Sequence, residues 1–149
     1  MRFVILIVPM LLSGCATSFD DAVSVKKLGA NMYLVHSAGN TETSQQQISE
    51  YAFLGAALAC KANGFTYFIK SDDKRASKKH SNYTPPITSC YTGYGGSMVC
   101  STTGGSAWTS ASHSETMVVS FLNRSEAAGT AAFDCNLIYK QFAPQYLNK

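Results

Sequence analysis

"MYLVHSAGNTETSQQQISEYAFLGAALACKANGFTYFIK", residues 32–70, changes its hydrophobic period twice. Met32-Tyr33-Leu34-Val35-His36 has the β-branched and aromatic composition of a strand. Ala38-Gly39-Asn40-Thr41 supplies turn chemistry. Ser44 and Gln47 then stand in the S-x-x-Q spacing of a capping box. From there Ile48, Tyr51, Ala52, Gly55, Leu58, Ala59 and Ala62 recur at helical spacing. Small residues at 52, 55, 56, 57 and 59 would let that helix lie close to a sheet. Asn63-Gly64 supplies a left-handed stop. Phe65-Thr66-Tyr67-Phe68-Ile69-Lys70 reads at once as a second strand. Strand, capped helix, glycine and strand predict a βαβ-like unit.

Beyond this unit the pattern breaks. Residues 71–114 are rich in Ser, Thr and Gly, with Pro85-Pro86 near the start of the segment's middle third. This composition predicts a long, mobile, low-complexity excursion with a disulfide-stapled hairpin inside it. Residues 115–123, ETMVVSFLN, predict a third strand. Residues 131–142 predict a second helix with Phe133, Leu137, Ile138 and Phe142 turned inward, stopped by Pro144. The whole predicts one α+β domain over residues 29–149. A sheet of three or more strands is packed by two helices.

Residues 3–12 are apolar and contain Pro9. A membrane-crossing helix needs about 20 apolar residues, so this run is too short to span. With Arg2 before it, the run suits the core of a signal peptide; a buried N-terminal strand is the plainer alternative. Leu12-Ser13-Gly14-Cys15 resembles the lipobox of bacterial lipoproteins. The resemblance implies cleavage before Cys15 and acylation of its thiol, so that residues 1–14 are a leader; residues 15–28, the lipidated N-terminus and a stretch with no clear period, read as a tether or a first irregular segment. Ala16, where inner-membrane retention favours Asp, resembles the outer-membrane pattern, facing the periplasm.

The segment from Cys15 onward is long enough for a real core. Without Arg2 it holds 11 basic and 9 acidic residues. So small a surplus, so dispersed, gives no case for nucleic acid. Residues 51–60 are apolar but flanked by Ser49-Glu50 and Lys61, and read as a buried helix.

The remaining cysteines are Cys60, Cys90, Cys100 and Cys135. Four cysteines in an oxidising compartment suggest two disulfides, with three possible connectivities. Cys90 and Cys100 flank a Gly-rich reversal, which favours a local bridge. Cys60 and Cys135 then pair by elimination. A zinc site would want a close CxxC or HxxxH pair, and the sequence has neither.

Asn31, Tyr33, Val35, Gly39 and Asn40, then the small-residue helix and Gly64-Phe65-x-Tyr67-Phe68, resemble an uncharacterised family of small proteobacterial lipoproteins first described in Caulobacter. That family has a Thr/Ser/Gly-rich insertion after the second strand, then a strand and a terminal helix opening near an Asp. Phe133-Asp134-Cys135 fits that place. The resemblance implies fold and location, and no activity or cofactor.

No G-x-S-x-G elbow positions a nucleophile, so His36, His80 and His113 have no evident partner in hydrolysis. Gly93 to Gly96 lacks the Lys-Ser/Thr of a phosphate loop. Residues 70–80, KSDDKRASKKH, are a solvated basic stretch or a contact for an anionic envelope polymer. Tyr91, Tyr94 and Trp108, with Tyr83, form either a recognition surface or the minor core of the stapled hairpin. The expected role is a structural or interaction one, toward the membrane through lipid at Cys15 and toward another envelope protein. An envelope-remodelling enzyme and an accessory subunit of a secretion or transport complex are the alternatives.

Overall fold

Side chains of an extended chain alternate between two faces. Tyr33, Val35 and Ser37 therefore share one face of a strand, and all three are buried. The computed structural model describes residues 15–92 and 98–147, with the side chains of 91, 92, 98 and 99 not described. Leu12, Ser13 and Gly14 of the lipobox, and Tyr94, lie outside the described residues.

The order is α1 (Phe19–Ala22), β1 (Val23–Lys27), β2 (Met32–Ala38), α2 (Gln45–Ala62), β3 (Tyr67–Thr92), β4 (Met98–Leu122), β5 (Phe133–Asp134) and α3 (Cys135–Tyr146). The strands form one antiparallel sheet in the order β1-β2-β4-β3-β5. The fold is α+β. The βαβ-like unit is present, with β4 inserted between its two strands.

The start of α2 follows the sequence. Ser44 Oγ accepts from Gln47 N at 3.1 Å. Gln47 does not return the bond to Ser44; its Nε2 donates instead to the Tyr51 hydroxyl at 2.8 Å. At the other end Gly64 has φ +77°, and Phe65 N donates to Cys60 O at 3.0 Å. Gly55 marks where the helix crosses the sheet: a Cβ there would meet Val23 Cγ1 at 2.6 Å and Val35 Cγ1 at 3.5 Å. Only the absence of a side chain allows that approach.

Two apolar clusters result. Tyr33, Val35, Phe68, Met117, Val119 and Phe121 from the sheet meet Ala52, Ala56, Ala57 and Cys60 of α2. Phe19, Ile48, Tyr51, Leu54 and Ala143 join the three helices. The disulfide Cys60–Cys135 ties the end of α2 to the start of α3, and Cys90–Cys100 joins β3 to β4.

Four expectations need correction. Residues 15–28 are not a slack tether. Thr17 N donates to Thr43 Oγ1 at 3.0 Å, Asn40 N to Thr17 Oγ1 at 2.9 Å, and Asn40 Nδ2 to Cys15 O at 2.9 Å. A four-residue helix and a strand follow, so the helices number three. The excursion at 71–114 holds the disulfide-stapled hairpin expected of it, but that hairpin is no local feature of a loop: it takes in the described residues throughout, as the bulk of two strands. The last helix begins at Cys135, because the Asp134 carboxylate accepts from Asn136 N and Leu137 N. It runs through Pro144 to Tyr146, since a proline in the last turn forfeits few bonds and packing holds that turn. The Tyr146 ring stands edge-on to Tyr51 at 4.8 Å, and its hydroxyl donates to Glu50. Burial first, and then Glu50, push that phenol well above its ordinary range. Finally, Leu137 faces solvent, and Phe133 lies in β5, stacked on Phe68 at 5.3 Å.

Candidate interaction arm

β3 has 26 residues and β4 has 25, yet the rest of the sheet covers little of either. β2 pairs with β4 from Ser114 to Ser120, and β5 pairs with β3 only at Tyr67 and Phe68. Beyond Ser77 and His113, β3 and β4 pair with each other alone among the described residues. At ~3.3 Å per residue this two-stranded ribbon extends about 50 Å from the body. Residues 71–79, 81–90 and 100–109 are exposed.

An isolated two-stranded ribbon is marginal in water. Here it is fastened at both ends. Near the tip Cys90 and Cys100 are register partners and disulfide-bonded. Two positions below that bridge the Thr88 and Thr102 hydroxyls meet at 2.8 Å, and close to the root His80 Nε2 meets Ser112 Oγ at 3.0 Å.

At the root, register aligns Ser37, Glu115 and Arg75 on three adjacent strands. Glu115 is fully buried. Its Oε2 accepts from Arg75 Nε at 3.1 Å and from the hydroxyl of Ser49 on α2. Ser37 Oγ donates to Ile48 O at 2.9 Å in the same layer. One carboxylate thus joins the arm's two strands to the helix. Asp73 stands 3.8 Å from Arg75 and 2.9 Å from Lys70, whose ammonium holds the Asp73 carboxyl below its usual range. The sequence offered no sign of this role for Glu115, because one acid at the start of a strand looks like a solvated flank.

The pairing is interrupted where Pro85-Pro86 faces Gly104-Gly105, and Pro85 and Gly105 drop out of the register. Both glycines have positive φ, +87° and +84°. A Cβ on Gly105 would lie 3.3 Å from Pro86 Cβ. Proline and glycine clusters that read as loop signals are here a paired irregularity between two strands.

Charge separates along the chain. Residues 74–114 carry four Lys and Arg and no acid, while the rest of residues 15–149 carries seven basic and nine acidic residues. The cations lie at the arm's root, and residues 81–112 have none. The root also lies at the end of the sheet that holds Cys15: Gly39 N donates to His113 O at 3.0 Å, and the next residue, Asn40, holds Cys15.

Of the aromatics singled out above, Trp108 is 52% exposed and Tyr83 68% exposed, so neither forms a minor core. Tyr83 faces Ala107 and Trp108 faces Asn82, which puts the two on opposite faces. Tyr91 pairs with Val99 near the tip. Exposed Ile87 completes the arm's large side chains. His36 Nδ1 meets Thr116 Oγ1 at 2.8 Å on the body, far along the strand from His80. The histidines are not brought together.

Two hollows lie elsewhere. One of about 290 Å³ is lined by Thr17, Phe19, Gln47, Tyr51 and Tyr146. An apolar one of about 390 Å³ is lined by Val23, Val25, Gly55, Leu58 and Ala59. Among the described residues no three His, Cys, Asp or Glu are grouped to hold a metal, and no helix is long and apolar enough to cross a membrane. No protein family, curated protein or solved structure matches this chain.

Proposed function

We propose that this chain is a lipid-anchored protein of the cell envelope, held in the outer membrane facing the periplasm, that works by contact and presents the β3–β4 arm to a partner. The observation that carries this reading is the arm: two strands leave the sheet together, exposed on both faces and on both edges, with a buried carboxylate fixing their root. Exposed strand edges are a liability that a fold without use for them would shorten or cover.

The envelope location is supported by the lipobox resemblance at Leu12-Ser13-Gly14-Cys15 and by two disulfides, which suit an oxidising compartment. The likeness to small proteobacterial lipoproteins supports the same location. Two acyl chains give stable anchoring at about 0.8 kcal/mol per buried methylene. With Thr17 fixed to Thr43, lipid on Cys15 would hold the body close against the bilayer, with the arm's root on that side.

Two variants test the two halves. Cys15→Ala should take up no radioactive palmitate and leave the membrane fraction; label and membrane retention in that variant would refute the anchor. Replacing residues 79–111 by an Asn-Gly turn between the register partners Lys78 and Ser112 keeps the root intact. That variant should fold, stay in the membrane and lose its crosslinked partners in intact cells. Unchanged crosslinks would refute the arm.

A further inference from the structure

The helices pack on one face of the sheet, the face of Tyr33, Val35, Met117 and Val119. The other face is open, and Met32 on it is 43% exposed. Register partners share a face, and successive residues of a strand alternate. One row of the open face therefore runs Lys26, Leu34, Val118 and Asp72 across four strands, and the next runs Ser24, His36, Thr116 and Lys74. The contact of His36 Nδ1 with Thr116 Oγ1 fixes that side for β2 and β4. His80 Nε2 reaches Ser112 Oγ on the same side, and Ser112 is the register partner of Lys78. The root of the arm thus adds Lys74 and Lys78 to the open face.

Charge divides between the two faces. On the helix side, Lys70 and Arg75 are bonded to Asp73 and Glu115, and α1 and α2 add Asp20, Asp21 and Glu50. On the open face, Lys26, Lys74 and Lys78 are exposed. Among the described residues no carboxylate comes within ion-pair distance of any of the three. Asp72 is an acid of that face, and the Asp134 carboxylate is turned to the start of α3. The pattern is not that of the sequence, where Lys74 to Lys79 form one basic stretch. Register sends Lys78 and Lys79 to opposite faces and brings in Lys26 from β1.

We propose that this open face lies on the anionic lipid headgroups of the bilayer that holds Cys15, with Lys26, Lys74 and Lys78 as its contacts. This proposal rests on the reading of Cys15 as the lipid anchor. Asn40 holds the Cys15 carbonyl, Gly39 N donates to His113 O, and His113 pairs with Ser77, the neighbour of Lys78. Acyl chains on Cys15 therefore bring the root of the arm to the headgroups, where each lysine strengthens attraction to an anionic surface about fivefold. The acyl chains already supply stable anchoring. What the lysines add is orientation, with the sheet flat on the bilayer and the helices turned away from it. Residues 81–112 carry no charge, so the attraction ends at the root and leaves the outer run of the arm to its partner.

The test is lysine footprinting of the full acylated chain, both disulfides intact, with a water-soluble amine reagent read residue by residue in a mass spectrometer. The chain is placed in vesicles of phosphatidylcholine with phosphatidylglycerol, in vesicles of phosphatidylcholine alone, and in neutral detergent. In the anionic vesicles Lys26, Lys74 and Lys78 should react about fivefold more slowly than in detergent. Lys79 and Lys140, exposed on the helix side, should react at unchanged rates. The protection should vanish in phosphatidylcholine alone and at about 1 M salt, where the screening length falls to about 3 Å. In Lys74→Glu with Lys78→Glu, Lys26 should lose its protection while circular dichroism stays the same. Equal protection of Lys78 and Lys79 with Lys26 open would reveal a diffuse basic stretch and overturn the face. Protection by isolated peptidoglycan and not by anionic vesicles would overturn the lipid as partner. An anchored chain with none of the three lysines protected overturns the docking alone, and palmitate on Cys15 and crosslinks along the arm leave the anchor and the arm standing.

Discussion

Arg75 and Glu115 are register partners at the point where the arm leaves the body, 3.1 Å apart, the carboxylate fully buried and the guanidinium half exposed. Breaking a fully buried pair costs about 3–5 kcal/mol because a charge is left uncompensated. Solvent around Arg75 lowers that figure, so Arg75→Ala should cost about 2 kcal/mol in urea unfolding. Glu115→Gln removes the need for a countercharge and keeps the shape. In the double variant most of the loss should therefore return, giving a coupling of about 1 kcal/mol or more. Strictly additive losses would show that the pair does not hold the root.

The same pair shows what the sequence could and could not reveal. The unit from β2 through α2 to β3 was legible because its signals are local: alternation, a cap, small residues and Gly64. Both disulfide pairings were legible too, since Cys90 and Cys100 flank a Gly-rich stretch in the sequence and Cys60 and Cys135 then pair by elimination. The stapled hairpin was legible but its length was not, because the strands of the arm bury nothing. Lys, Ser and Thr in no apolar alternation look like a loop, and the ladder between β3 and β4 is a long-range fact. β1 was hidden for a similar reason, with Ser24, Val25, Lys26 and Lys27 exposed and only the pairing with β2 defining it. The proline in α3 misled because propensity was weighed without the Tyr51–Tyr146 contact that holds the last turn.

The two disulfides should differ in what they protect. On the chain-entropy account, closing the short loop at Cys90–Cys100 stabilises by about 3 kcal/mol and the long one at Cys60–Cys135 by about 4. The long bridge also sits in the core between α2 and α3. Cys60→Ser with Cys135→Ser should therefore lower the melting temperature more than Cys90→Ser with Cys100→Ser. The second pair of changes should instead speed hydrogen exchange along the arm while leaving α2 protected. Equal exchange in body and arm would show that the two do not open separately.

Gly55 offers a test of how α2 seats on the sheet. In a free helix alanine is favoured over glycine by about 1 kcal/mol. Here the added Cβ would meet Val23 Cγ1 at 2.6 Å. Overpacking of this kind costs about 1–3 kcal/mol, which outweighs the propensity gain. Gly55→Ala should destabilise, and Gly55→Ala with Val23→Ala should recover part of the loss. A stabilised single variant would mean that the helix stands further from β1.

A photo-crosslinking residue at Trp108, introduced in living cells and compared with one at Glu126 on the body's far loop, tests the central claim that the arm is the contact surface. Both sites are exposed, so solvent access does not favour either. The arm position should give discrete crosslinked products, a protein-sized adduct or a doubled chain, and the body position should give none. Products at Glu126 with none at Trp108 would contradict the account.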